Sequence, residues 1–177
     1  MGRPLRADAQ RNRDQLLAAA ARVFAERGTD APLDDIARRA GVGNATMYRH
    51  FPTRSDLLVA VYTDEVAGLC ARAATLREQA GSPQEALHEW LRLFMDHVST
   101  KRDLALAVTG ESSALVAGWH RAMLEAASTL LEEAGRAGAV RADLDAADLL
   151  TLVKGITLAA ADRAQAERLL ALVNWQT

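Results

Sequence analysis

The sequence predicts an all-α protein of about nine helices. Ala and Leu dominate the composition, Pro occurs only four times, and half of the 177 residues are hydrophobic. Apolar residues recur every three to four positions along most of the chain, which is the helical period, and no long run of alternating β-branched residues predicts a sheet. A chain of this length and hydrophobicity can bury a sizeable core in one or two domains.

The first helix is predicted over residues 8–27. Leu16, Ala20 and Phe24 fall on one helical stripe, and Gly28 is a natural stop because it accepts a left-handed backbone without strain. We therefore expect this helix to bury one face.

Two short helices follow, over residues 33–40 and 44–51. The segment Gly41-Val42-Gly43 breaks the chain between them, and Pro52 ends the second one. Two short helices joined by a tight turn that contains glycine predict a helix-turn-helix, whose second helix enters the major groove of DNA, about 12 Å wide. The polar residues around that helix can reach DNA: Asn44, Thr46, Tyr48, Arg49 and His50.

A long fourth helix starts beyond Pro52 and ends near Gly81. Thr53 is its expected N-cap, and Asp56 completes a reciprocal pair of the capping-box kind. Five more helices are predicted downstream, at about 83–99, 101–109, 112–136, 145–162 and 164–174.

Charge is distributed unevenly along the chain. Residues 1–54 hold 10 arginines against six acidic residues, a net charge of +4, whereas the remainder carries −6. A basic end on an acidic body is typical of a protein that meets a polyanion at one end, although random surface charge remains an alternative explanation.

The motif resembles the TetR/AcrR family, the tetracycline-repressor type of transcriptional regulator. The resemblance covers residues 11–70, and the family signature joins an IA–AGV stretch to a T-L-Y-x-H-F stretch and a following basic residue. It departs from the family pattern at Gly43, where Ser is common, and at Ala45, where Gly is common. The residues that carry it are Asp35-Ile36-Ala37, Ala40-Gly41-Val42, Thr46-Met47-Tyr48-Arg49-His50-Phe51, Arg54 and Leu57-Leu58.

The resemblance implies roles for individual residues at the DNA. Tyr48 and His50 would bond phosphates, and Arg54 would place a cation against the backbone, contacts that fix register without reading sequence. The better candidates for facing base edges are Asn44, Ala45, Thr46 and Arg49. Phe51 is expected to pack in the core.

The family layout predicts a DNA-binding domain over residues 1–54 and a ligand-binding and dimerisation domain over 55–177. One helix-turn-helix reads only a few base pairs, so tight binding calls for a symmetric homodimer. The apolar residues expected to form the dimer interface, or alternatively ordinary core, are Leu149, Leu152, Val153, Ile156, Leu169, Leu172 and Val173.

The middle helices are expected to hold a small-molecule effector. Apolar walls with a few polar groups are what such sites need, and the alternative is a packed core without a cavity. The candidate lining residues are Trp90, Phe94, His97, Trp119, Met123 and Cys70.

The expected function is therefore repression, relieved when a ligand releases the dimer from a palindromic operator. An activator of the same fold remains an alternative, as does a redox sensor acting through Cys70. An enzyme is a remote alternative, because no phosphate loop, nucleophile–base arrangement or metal-ligand spacing is evident, and no cofactor is expected. A single cysteine and the lack of a signal peptide or long apolar run predict a cytoplasmic protein.

Overall fold

The computed structural model describes residues 3–108, 113–141 and 143–173, and within these ranges it contains nine α-helices and no strand. The predicted fold class is confirmed. The helices are α1 (Arg3–Arg27), α2 (Leu33–Ala40), α3 (Asn44–His50), α4 (Arg54–Gln79), α5 (Pro83–Thr100), α6 (Arg102–Ala107), α7 (Ser113–Arg136), α8 (Ala146–Ala159) and α9 (Arg163–Ala171).

The N-terminus of α1 differs from its prediction. The helix begins at Arg3 instead of residue 8, although its first two turns show no apolar stripe. Side-chain pairs along its exposed surface support it locally: Arg11 bonds Asp8, and the Gln10 amide donates to Asp14 at 2.8 Å. Hydrophobic periodicity cannot detect a helical extension whose sequence has no apolar repeat.

The end of α8 also differs from its prediction. It stops at Ala159, not at residue 162, because Asp162 caps the next helix by accepting a bond from the Gln165 amide at 2.7 Å. A capping residue must be non-helical, so α8 has to end before it. The predicted last residue of α9, residue 174, lies outside the described residues.

The chain divides into two compact units. The first comprises residues 1–65 with 103–111, and the second comprises residues 66–102 with 112–177. The division falls inside α4, so this helix contributes its first turns to one unit and its later turns to the other. The functional boundary after residue 54 stays a prediction.

The first unit is built around α1, which packs against α2 and α3. The capping box predicted at the start of α4 is present: the Asp56 amide donates to Thr53 Oγ1 at 3.1 Å, and the Thr53 amide donates to Asp56 Oδ2 at 2.9 Å. The buried core includes Leu16, Leu17, Ala20, Val23, Phe24, Ile36, Ala37, Met47, Phe51, Leu57 and Val61.

The second unit is a bundle in which α5 packs against α7 and α8, and α8 packs against both α7 and α9. Ion pairs at its surface join Arg77 of α4 to Glu133 of α7, and Arg163 of α9 to Asp96 of α5. None of the helices, within the part of the chain that is described, combines the length and the apolar character needed to cross a bilayer.

Candidate nucleic-acid interface and ligand-binding core

The turn between α2 and α3 has the geometry that its glycine allows. Gly41 adopts φ +69°, the left-handed conformation, and its amide donates to the Arg38 carbonyl at 3.2 Å. Val42 then donates to the Ala37 carbonyl at 3.0 Å and buries its side chain. A residue with a Cβ would be strained at Gly41, so the sharp reversal that separates the two helices depends on glycine here.

One side of α3 packs against the core of the first unit, and the other side is exposed. Met47 and the residue after the helix, Phe51, are buried, and together they attach α3 to the core of the first unit. Tyr48 remains 45% exposed although it is a large aromatic residue. Of the other predicted contact residues, Asn44, Ala45 and Arg49 are exposed, whereas Thr46 and His50 are half-buried. The six predicted contact residues of this helix thus all keep at least part of their surface exposed, and none of them is buried.

Two carboxylates hold α2 against α1. Arg39 of α2 forms a two-pronged pair with Glu26 of α1, and Asp35 of α2 bonds both Arg27 of α1 and Arg38. Hydrogen bonds from Arg39 and from Arg27, respectively, are the main reason that the pKa values of Glu26 and Asp35 lie below the ordinary carboxylate range. These pairs position α2, and α2 in turn positions the turn before α3.

Arg54 has a structural contact that the sequence did not predict. Its guanidinium Nη1 donates to the carbonyl oxygens of Thr29 and Ala31, each at 2.8 Å, and the side chain is partly buried. The first residue of α4 therefore ties down the loop between α1 and α2. No short motif signals such a contact, because it joins residues more than 20 positions apart. The predicted phosphate contact of Arg54 stays a prediction.

The six predicted effector residues lie in the second unit. Trp90, Phe94 and His97 are buried on α5, Trp119 and Met123 are buried on α7, and Cys70 is half-buried on α4. The Trp90 ring stacks on Phe94, with centroids 5.8 Å apart and an interplanar angle of 9°. Its indole N–H donates to the Leu69 carbonyl at 3.0 Å, so α4 and α5 are joined at this point by a buried hydrogen bond.

A separate groove of about 550 Å³ lies near the turn between α4 and α5. None of the six predicted effector residues lines it, and its lining is mainly polar. Burial, and then the charge of Arg92, lower the pKa of His88, which favours the neutral imidazole there. The lining residues are Leu76, Gln79, Ala80, Ser82, Gln84, Glu85, His88, Glu89 and Arg92.

The predicted dimer residues divide into three groups by exposure. Leu149 and Val153 are buried within the single chain, where α8 contacts α5 and α7, so they belong to the protomer core rather than to an exposed face. Leu152 and Leu172 are 44% and 78% exposed. Ile156, Leu169 and Val173 are half-buried. The helical period of α8 explains the division within this helix. Positions 149, 153 and 156 are spaced by three or four and share one face, whereas Leu152 lies beside that stripe.

A small three-helix core that exposes the second helix of a helix-turn-helix defines the class of helix-turn-helix DNA-binding proteins. Family models support the same class. Residues 16–61 match the model of the N-terminal domain of the tetR family of bacterial regulatory proteins, and residues 82–174 match the C-terminal domain of SbtR-like transcriptional regulators. The second match alone covers more than half of the chain.

A solved structure shares this architecture over nearly the whole chain. The TetR transcriptional regulator SCO0520 from Streptomyces coelicolor is 42% identical, with a TM-score of 0.78, over 90% of this chain and 94% of that one. The chain belongs to the TetR family of transcriptional regulators. The predicted resemblance is confirmed, and so is the prediction of a regulatory protein rather than an enzyme.

Two curated relatives from Mycolicibacterium smegmatis match more locally. The transcriptional activator FasR is 33% identical over 87 residues, which is 49% of this chain and 40% of FasR. The transcriptional repressor KstR2 is 37% identical over 76 residues, which is 42% of this chain and 37% of KstR2. The chain therefore matches about two fifths of the length of each of these relatives.

Proposed function

We propose that this protein is a dimeric repressor that binds a palindromic operator and leaves it when a small molecule binds. The observation that carries the proposal is α3: Met47 and Phe51 bury one side of a short helix, and Asn44, Ala45 and Arg49 occupy the exposed surface. Binding of this helix in the major groove brings polar side chains to base edges. Such a protein works in the cytoplasm, where its DNA is.

The DNA contacts fall into two kinds. Tyr48 and His50 bond phosphates, which gives affinity that depends on salt but not on sequence. Asn44, Ala45, Thr46 and Arg49 face the bases, and the guanidinium of Arg49 is suited to a guanine because it can donate two parallel bonds to O6 and N7.

This role is tested by selecting duplexes from a randomised pool with the purified protein and measuring the selected sequences by mobility shift. Arg49→Ala should weaken the selected duplex by about 10- to 100-fold and relax one base position in each half-site, since a bidentate pair is worth about 1–3 kcal/mol. Arg72→Ala, which removes another exposed cation, this one from the second unit, is the matched control. A wild-type protein that selects nothing and binds no duplex in a salt-sensitive manner would refute the function.

The dimer interface of the proposal consists of exposed and half-buried apolar side chains of α8, of α9 and of the two residues that follow α9. Leu152, Ile156, Leu169, Leu172 and Val173 supply it, and Leu149 and Val153 support it from inside the protomer. Solvent-exposed leucines on two neighbouring helices favour a partner of the same kind, because a second copy buries both sets at once.

The effector site of the proposal lies among Trp90, Phe94, His97, Trp119, Met123 and Cys70. Their mixture of aromatic rings, a thioether and an imidazole suits a largely apolar molecule with one or two polar groups. Binding there favours a state in which the two recognition helices no longer match the spacing of the half-sites, and α4 carries the change because it runs through both units.

This release mechanism is tested by screening small molecules for loss of the mobility shift. A releasing molecule should lose its effect with Met123→Ala and keep it with His88→Gln, which alters the polar groove instead. A releasing molecule that keeps its effect with Met123→Ala and loses it with His88→Gln would indicate that the effector binds in that groove. The relatives include both an activator and a repressor, so a reporter gene driven by the selected operator, with and without the protein, determines the sign of regulation.

A further inference from the structure

Four arginines of the first unit are already engaged with partners inside the protein. Arg27 and Arg38 pair with Asp35, Arg39 pairs with Glu26, and Arg54 bonds backbone carbonyls. Their charges are therefore largely compensated or are used to hold the fold. Cations that have no acidic partner nearby are therefore the ones available to bind a polyanion.

Arg13 of α1 is such a cation, and it lies beside the recognition helix. Its guanidinium carbon is 5.7 Å from the centroid of the Phe51 ring, and no carboxylate pairs with it among the described residues. Phe51 immediately follows α3, and the ring of His50 lies 6.3 Å from that of Phe51. The same aromatic ring thus neighbours Arg13 on one element and His50 on another.

The cation–π contact with Phe51 and the half-burial of Arg13 restrain this side chain. Phe51 is buried and fixed, so the guanidinium above it occupies a defined place at the carboxyl end of α3. A cation–π contact is made by the charge of the guanidinium, so it leaves the five N–H groups available for other acceptors. A phosphate oxygen is the acceptor that suits such a preorganised fork.

We propose that Arg13 is a DNA-backbone contact, positioned by Phe51 and acting beside His50. This inference rests on the proposed function and extends the DNA-binding surface from α3 to α1. The ligand chemistry is a phosphodiester of a duplex, not a base edge. Arg13 adds affinity that depends on salt and is the same for every sequence.

Helix geometry supplies a matched control on the same element. Arg22 lies nine residues after Arg13, which places it on the opposite side of α1 and about 13 Å along its axis. It is exposed, and its charge acts on Glu26. Arg22→Gln and Arg13→Gln therefore remove equal charge from one helix, but only Arg13→Gln removes it next to α3.

The experiment measures binding to a duplex selected by the wild-type protein, and to a duplex of scrambled sequence, over a range of salt concentrations. Arg13→Gln should reduce the slope of log K against log salt by about one unit per protomer and weaken both duplexes by the same factor. Arg13→Lys should largely keep the slope, because it keeps the charge. Thermal melting of each variant separates loss of fold from loss of contact.

The outcomes distinguish a DNA-backbone contact from a structural role and from base recognition. If Arg13→Gln and Arg22→Gln change the slope equally, or if Arg13→Gln lowers only the melting temperature, Arg13 is a structural residue and the inference is wrong while the proposed function stands. If Arg13→Gln changes which sequence is preferred, Arg13 reads bases and the backbone assignment is wrong. If the wild-type protein shows no salt-sensitive binding, the proposed function fails together with this inference.

Discussion

Arg54 shows that a side chain predicted from the sequence to contact a ligand can also have a structural contact in the fold. Its place in the motif implied a cation for the DNA backbone, and its guanidinium bonds the Thr29 and Ala31 carbonyls. These carbonyls belong to the loop that sets where α2 begins. The two roles predict different consequences of mutation.

We predict that Arg54→Gln lowers the free energy of unfolding by about 2 kcal/mol, because two charge-assisted bonds are lost and their acceptors must find other partners. Urea unfolding followed by circular dichroism measures it. Arg49→Gln, an exposed cation of α3, should stay within about 0.5 kcal/mol of the wild type. Unchanged stability of Arg54→Gln together with weaker DNA binding would instead support a role at the phosphates alone.

Cys70 is the second residue whose environment decides its role. Burial, followed by the negative charge of Glu125, raises the pKa of its thiol. Since the thiolate is the reactive form, the environment disfavours redox chemistry at neutral pH.

We therefore predict that Cys70 reacts with a disulfide reagent at pH 7 more slowly than a free cysteine does, and that Glu125→Gln accelerates the reaction. Ellman's reagent gives both rates. Cys70→Ser should leave DNA binding and its response to peroxide unchanged. A peroxide response that disappears with Cys70→Ser would restore the redox hypothesis.

At the scale of elements, the sequence predicted best where a local rule has one solution. The stop at Gly28, the turn at Gly41 and the Thr53–Asp56 capping box follow from backbone freedom and short-range hydrogen bonds, and all three are found. The extension of α1 to Arg3 was missed because the sequence of its first turns has no apolar periodicity. The end of α8 was missed for a different reason: Asp162 caps α9, so α8 must end before it. A pattern that considers one helix at a time does not detect such competition between neighbouring helices.

The pairing of α1 with α2 should depend on pH. Asp35 is bonded to Arg27 and Arg38, and hydrogen bonding by Arg27 is the main cause of its lowered pKa. A carboxylate whose pKa is lower in the folded than in the unfolded state stabilises the fold above its unfolded-state pKa. That contribution is lost as the pH falls through the folded-state pKa.

Asp35→Asn should therefore be less stable than the wild type at pH 7, and the difference should shrink as the pH falls below about 4. Urea midpoints of both proteins across this range measure it. Asp34 lies in the same first turn of α2, so Asp34→Asn controls for the loss of a negative charge near the helix dipole. If the Asp35→Asn difference were independent of pH, the ion pairs would contribute nothing to the pairing of the helices.

At the scale of the whole molecule, the sequence located the regions of the candidate sites but not the direction of each side chain. It placed seven apolar residues on the last two helices, but Leu149 and Val153 face the protomer core. Periodicity identifies a buried stripe without saying whether the same chain or a second copy covers it. The effector residues raise the same difficulty, because a packed core and a pocket wall have the same composition.

The proposed homodimer makes Leu172 the most informative position. Leu172→Glu places a charge on an apolar interface and should yield a monomer in analytical ultracentrifugation, with much weaker binding to the selected operator. Leu106→Glu is the matched control, since Leu106 is 58% exposed on α6, away from α8 and α9 in sequence. A Leu172→Glu protein that remains dimeric would show that copies associate through another surface.

The stacked indole of Trp90 gives the protein an optical reporter that needs no label. A fully enclosed indole bonded to the Leu69 carbonyl should fluoresce at short wavelength, and its emission should change when anything enters or rearranges the surrounding helices. The chain has two other tryptophans, Trp119 and Trp175, so titrations with candidate molecules, in the absence of DNA, are compared between the wild type and Trp90→Phe to isolate this emission. The same residue that holds α5 to α4 can thus report directly on whatever binds there.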